Sequence, residues 1–261
     1  MTVALGGTLL AVGFSGAFVA GLLGVGGAVV MIPLLLYVPP LLGVGRLDIK
    51  AVAGVTMTQV LVAAAVGMLA HRRYGAVNAE LAWVGGLAMA VGSFIGALAS
   101  AHLSDQALLL VFALMVTAAA GLVFVGADGD APRLAEGPVR FSRTRAGVVA
   151  GVVGLAAGLV GAGGAFLLVP LLLIVVGVPI RVTIGTSLAI TALAASAGFV
   201  GKLVTAQIPL APTLAVVAGA IPGAQLGAAV SQRMPPIWLR VALFVLVALI
   251  AVMVWSDLLS R

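Results

Sequence analysis

Residues 21–36 read GLLGVGGAVVMIPLLL and residues 158–173 read GLVGAGGAFLLVPLLL, identical at ten of sixteen positions. Gly24, Gly26, Gly27 and Pro33 in the first copy match Gly161, Gly163, Gly164 and Pro170 in the second. Each copy is an apolar stretch broken by a glycine cluster and followed, six residues on, by a proline. The rest of the chain can be placed relative to these two breaks.

Of the 261 residues, 63% are hydrophobic and 8% are charged. Soluble domains keep about a quarter of their residues charged, so the chain reads as a polytopic membrane protein. Its apolar runs are continuous rather than alternating, which selects helices over a barrel. Cysteine is absent, which removes disulfides, thiolate metal sites and cysteine nucleophiles. The net charge of +6 reports membrane orientation rather than nucleic-acid binding. No basic n-region precedes the first apolar run, so it reads as a mature helix and not a signal peptide.

In order, the expected helices cover 4–23, a half-length 28–38 closed by Pro39-Pro40, 51–70, 81–101 and 106–126. After a basic loop at 127–145 they cover 146–162, a half-length 165–178, 182–201, 211–232 and 237–256. About 20 apolar residues cross a bilayer, whereas 10–14 read as a half-helix or re-entrant segment. Beyond the glycine motif the halves align at an offset of 131. Gly54 meets Gly185, Thr56 meets Ser187, Gly67 meets Gly198, and Gly92 and Gly96 meet Gly223 and Gly227. The expected organisation is a first membrane repeat at 1–126, a connecting loop at 127–145 and a second repeat at 146–261. The fold class is all-α, with eight to ten membrane segments including the two short ones.

The broken pair crosses twice or not at all, so each half has an odd number of crossings and the repeats should be inverted. With the N-terminus outside, the cytoplasm receives Arg72, Arg73, Arg133, Arg140, Arg143, Arg145, Arg181, Arg233 and Arg240. Arg46, Lys50, Lys202 and Arg261 fall outside, in keeping with the positive-inside rule. The expected location is the cell inner membrane, with loop 127–145 cytoplasmic.

Inverted repeats with interrupted helices point to a secondary transporter whose site lies near the midplane. A helix that starts after a glycine break presents unpaired amides and the positive end of its dipole, and glycine lets an anion approach them. The candidate substrate-binding backbone is therefore Gly24, Gly26 and Gly27 with Gly161, Gly163 and Gly164. Close helix packing is the plainer role of such glycines; their duplication, each with a half-length segment behind it, favours the site. Candidate side chains are Thr56, Thr58 and Gln59 in the first half, with Thr186, Ser187 and Gln225 in the second. Hydroxyls also bond the preceding helical turn, while a buried amide needs several partners.

His71 and Lys202 are equivalent positions that mark where a helix meets water or form a cationic vestibule. The pairs Gly92/Gly96, Gly223/Gly227 and Gly154/Gly158 serve packing within one protomer ahead of a homodimer seam. No carboxylate lies inside an apolar run and no His, Asp and Glu cluster suits a metal, so no metal and no cofactor is expected. No base accompanies a serine nucleophile and no Walker motif occurs, which argues against an enzyme or an ATP-driven pump.

With the doubled motif and the run Gly185-Thr186-Ser187-Leu188, the sequence resembles the TauE/SafE family of sulfite and organosulfonate permeases over essentially its full length. The resemblance implies secondary transport of small sulfur-containing anions across the inner membrane. The halves differ at Gly54-Val55-Thr56-Met57-Thr58-Gln59 against Gly185-Thr186-Ser187-Leu188-Ala189-Ile190, which makes Gln59 the preferred head-group contact. Expected partners are thus a small anion and the lipid bilayer. An anion channel and a non-transporting scaffold are the other two function classes to test.

Overall fold

The structure, a computed structural model, describes residues 2–23, 27–72, 78–125, 141–231, 233–234 and 236–260. The described residues form helices and no strand: α1 (Val3–Leu23), α2 (Ala28–Leu41), α3 (Ile49–Arg72), α4 (Ala79–Ala99), α5 (Asp105–Val125), α6 (Arg143–Val160), α7 (Ala165–Val176), α8 (Ile180–Val204), α9 (Leu210–Ser231) and α10 (Pro236–Ser260). Six of these are long and apolar enough to cross a membrane. Their outer faces suit hydrocarbon: Trp83, Leu87, Val91 and Ile95 form an exposed stripe on α4 at four-residue spacing.

Three local features are not expected from the sequence. α2 runs through Pro39 and Pro40 to Leu41, and Leu42 N–H bonds Val38 O at 3.1 Å. Each proline keeps a helical φ but lacks the N–H that would bond the carbonyl four residues back, so the last turn continues with the Leu35 and Leu36 carbonyls losing those two donors. α6 starts at Arg143 instead of 146, because Ser142 caps it by accepting from Arg145 N–H. The last turn of α7, Leu172–Val176, is wound as a π-helix, which no hydrophobic pattern announces.

Glycines set the helix pairing. A Cβ on Gly223 would lie 2.2 Å from Phe14 O, and one on Gly227 would lie 2.1 Å from Phe18 O. These approaches seat α9 backbone-to-backbone on α1. In the other half a Cβ on Gly92 would lie 2.3 Å from Gly151 O, and one on Gly96 2.1 Å from Leu155 O, seating α4 on α6. The numbers rise together in both pairs, so each pair runs parallel. The contacts are also equivalent. Gly92 and Gly96 map to Gly223 and Gly227, while Phe14 and Phe18 map to Gly151 and Leu155 by the spacing that takes Gly21 to Gly158. Each half therefore packs its last glycine pair against the first helix of the other half. α3 and α8 pack antiparallel, with Gly198 against Met57 and Gly54 against Gln207 O.

Candidate functional site

Four helix starts show where the backbone amides find partners. α4 begins with Asn78, whose side chain accepts from Leu81 N–H at 2.9 Å, and α6 begins with Ser142 in the same role. α2 and α7 begin instead with Gly27 (φ 82°) and Gly164 (φ 73°), both left-handed and neither offering a side-chain cap. These two starts are buried: Ala28 and Val29 are fully enclosed, and Ala165 and Phe166 nearly so. The first intrahelical bonds are Val30 N–H and Met31 N–H to Gly27 O, and Leu167 N–H and Leu168 N–H to Gly164 O. A buried helix start with no side-chain cap is unusual, and here it occurs at both glycine motifs.

Both breaks lie against α3. A Cβ on Gly27 would sit 3.1 Å from Gln59 Nε2 and 3.4 Å from its Oε1, so the Gln59 amide rests on the first break. A Cβ on Gly163 would sit 2.3 Å from Val60 Cγ1, and one on Gly161 would sit 2.0 Å from Ala53 O. Neighbouring residues Gln59 and Val60 thus touch opposite halves. On the same helix Thr56 Oγ1 and Gln59 Oε1 are buried without a hydrogen-bond partner among the described residues. Ser93 Oγ and Thr191 Oγ1 share that condition on α4 and α8. Leaving such groups dry costs about 1–3 kcal/mol each, so each marks a place where a ligand or water is wanted.

The remaining candidates are spread out. Thr58 bonds Gly54 O at 2.9 Å, the local bond open to any helical threonine. Thr186 Oγ1 is buried and accepts from Asn78 N–H at 3.0 Å, tying α8 to the start of α4. Ser187 is buried nearby in sequence. Gln225 is exposed on α9, on the face away from the Gly223 and Gly227 contacts, and is not brought to the breaks. Gly24, Gly26 and the side chain of His71 lie outside the described residues.

Lys202, expected at a water-facing mouth, is fully enclosed. Its Nζ donates to Ser100 Oγ (2.7 Å), Gln207 Oε1 (2.9 Å) and Leu159 O (3.1 Å). Lys50 Nζ donates to Ala101 O at 2.9 Å in the same region. Sequence reading missed Gln207, which falls between the apolar runs 182–201 and 211–232, and Ser100, a lone serine at the end of the run 81–101 that no local pattern sets apart. A cavity of about 1050 Å³ opens beside the ends of α2, α5 and α10, lined by Tyr37, Arg46, Asp48, Asp105 and Asp257 among others, and includes none of the candidate residues.

The sequence model described as Sulfite exporter TauE/SafE matches residues 9–254. The chain belongs to the TauE/SafE family. Among curated relatives, a "Probable membrane transporter protein" of Xylella fastidiosa (strain Temecula1) is 35% identical over 173 residues, 66% of this chain and 64% of that protein. The match to a second Xylella fastidiosa strain is 33% identical over 172 residues with the same coverage. The chain therefore spans under two thirds of these two relatives in the matched region. "Probable membrane transporter protein YunE" of Bacillus subtilis is 25% identical over 241 residues, 87% of this chain and 88% of the relative. No solved structure matches the chain. Both glycine breaks and all the candidate residues lie inside the TauE/SafE match.

Proposed function

We propose that this TauE/SafE protein is a secondary transporter of small sulfur-containing anions such as sulfite or organosulfonates. The observation that carries the reading is the pair of buried, uncapped helix starts at Gly27 and Gly164, joined through α3 with Gln59 on the first break. Each start offers first-turn amides with no side-chain cap and the positive end of a helix dipole. Thr56 and Gln59 add buried polar atoms that have no partner among the described residues. In this reading Gly24, Gly26, Gly27, Gly161, Gly163 and Gly164 form the backbone cradle. Thr56 and Gln59 make the first side-chain contacts, with Thr58, Thr186, Ser187 and Gln225 as the further candidates and Thr186 also tying α8 to the start of α4.

The mechanism is alternating access between inverted halves. The parallel pairs α1–α9 and α4–α6 support it, because a helix paired in parallel with one from the other half fits two units of opposite orientation interlocked about a pseudo-two-fold axis. Rocking about that axis would expose the cradle to each side in turn. The N-terminus is assigned outside, the 127–145 segment to the cytoplasm and the protein to the inner membrane, on the charge asymmetry of the sequence. The family description names sulfite export, which supports the substrate class, and the relatives' names support membrane transport.

The test is thermal unfolding of the purified protein with sulfite, thiosulfate, sulfoacetate, taurine, sulfate and simple carboxylates. A saturating anion that binds only the folded state raises Tm in proportion to the logarithm of its concentration. The reading expects at least one sulfur oxyanion to do so, and a flat response to all of them contradicts it. Single-channel currents far above carrier turnover would assign the same cradle to a channel.

A further inference from the structure

A broken helix has two faces. Its new start attracts anions, but the end that precedes the break presents unpaired carbonyls that attract cations, and in interrupted transporter helices this is where a coupling Na⁺ binds. α6 ends at Val160, and the carbonyl of Leu159, two residues before Gly161, receives the Lys202 side chain. We propose that the Lys202 ammonium is a tethered cation that fills the cation position at the carbonyl end of broken α6, so that anion binding at this break does not require Na⁺. The proposal rests on the anion-carrier reading above.

The hydrogen-bond inventory suits an ammonium. Leu159 O and Gln207 Oε1 are acceptors only. Ser100 directs its own proton to Ala97 O at 2.6 Å, which leaves Ser100 Oγ to accept from Lys202 and from Gln207 Nε2. Nζ therefore donates three times, the full complement of a charged lysine and one more than a neutral amine holds. The ligand set of a backbone carbonyl, an amide oxygen and a hydroxyl is of the neutral, hard-oxygen kind that suits a small cation, and it is already taken.

The packing is built around this contact. Cβ atoms at Gly96 and Gly158 would meet Leu155 O and Ser93 O at 2.1 Å each, and one at Gly201 would meet Ala97 Cβ at 2.7 Å. Small residues thus draw α4, α6 and α8 close enough for one side chain to reach all three oxygens. Among the described residues the contacts of Lys202 are neutral oxygens, with no carboxylate among them, so only the carbonyl end of α6 offsets its charge. Such a charge cancels the negative end of α6 and leaves the break positive overall.

The experiment measures the Kd of sulfite, or of whichever anion stabilises the wild type, in sodium and in choline buffers for wild type, K202A and K202Q. The expected results are equal wild-type affinity in the two buffers, at least tenfold weaker binding by K202A in choline, and partial recovery of K202A on adding Na⁺ or propylammonium. K202Q keeps a polar side chain without the charge, and it should show the same loss should K202A fail to fold. A wild type that needs Na⁺, or a charge-free variant that binds as the wild type does while only its Tm falls, overturns the proposal and makes Lys202 a structural latch. A wild type that binds no anion in either buffer overturns the carrier reading and this proposal with it.

Discussion

The Gln59 amide lies on Gly27, its Nε2 3.1 Å from where a Cβ would stand, while the next residue, Val60, packs on Gly163 of the other half. One turn of α3 therefore senses both breaks. An anion held there would contact backbone amides from each half and the Gln59 side chain together.

Replacing Gln59 by alanine should leave the protein folded and weaken anion uptake into proteoliposomes about tenfold, the scale of one hydrogen bond to a charged group. Uptake equal to the wild type would remove Gln59 from the site.

Thr56→Val keeps the shape and deletes a buried hydroxyl that has no partner. Tm should stay level or rise, because an unsatisfied group is lost, while anion affinity falls severalfold. A falling Tm with unchanged affinity would show that the hydroxyl serves the fold.

Gly161 and Gly43 separate conformational strain from crowding. Both have positive φ (73° and 64°), but a Cβ on Gly161 would sit 2.0 Å from Ala53 O, whereas one on Gly43 meets nothing within 4 Å. Gly43→Ala should cost about 1–2 kcal/mol, the left-handed penalty alone. Gly161→Ala should cost at least about 2 kcal/mol more, because backbone must move. Thermal or denaturant unfolding of the two variants makes the comparison, and equal losses would refute the close approach of α6 to α3.

The absence of cysteine makes topology directly readable. Val44, between α2 and α3, and Ser142, before α6, should lie on opposite sides of the membrane. Val44→Cys should react with an impermeant maleimide in intact cells, and Ser142→Cys only after permeabilisation. Labelling of both from one side would contradict the inverted arrangement and the outside N-terminus.

Much of the helix plan was legible because continuous apolar runs have one stable form in lipid, and the two glycine motifs located the breaks without a structure. Local geometry was less legible. Pro39-Pro40 reads as a stop, yet α2 continues through both to Leu41, and the π-winding after Pro170 leaves no mark in hydropathy. Direction around a helix mattered most. Gln225 lies two residues from both Gly223 and Gly227, so a helix that turns its glycines to α1 turns Gln225 outward. Lys202 reads as a helix end meeting water because its partners, Ser100 and Leu159, are 102 and 43 residues away in sequence. Such distant pairings depend on the tertiary fold and are not carried by any local pattern.

The central claim is that one anion engages both breaks at once. Amide hydrogen exchange of segments 27–31 and 163–168, measured with and without saturating sulfite or the anion that raises Tm, tests it most directly. The account predicts that both segments gain protection together and that Gln59→Ala reduces the gain in both. Protection confined to one segment, or absent from both while the anion still stabilises the protein, would contradict it.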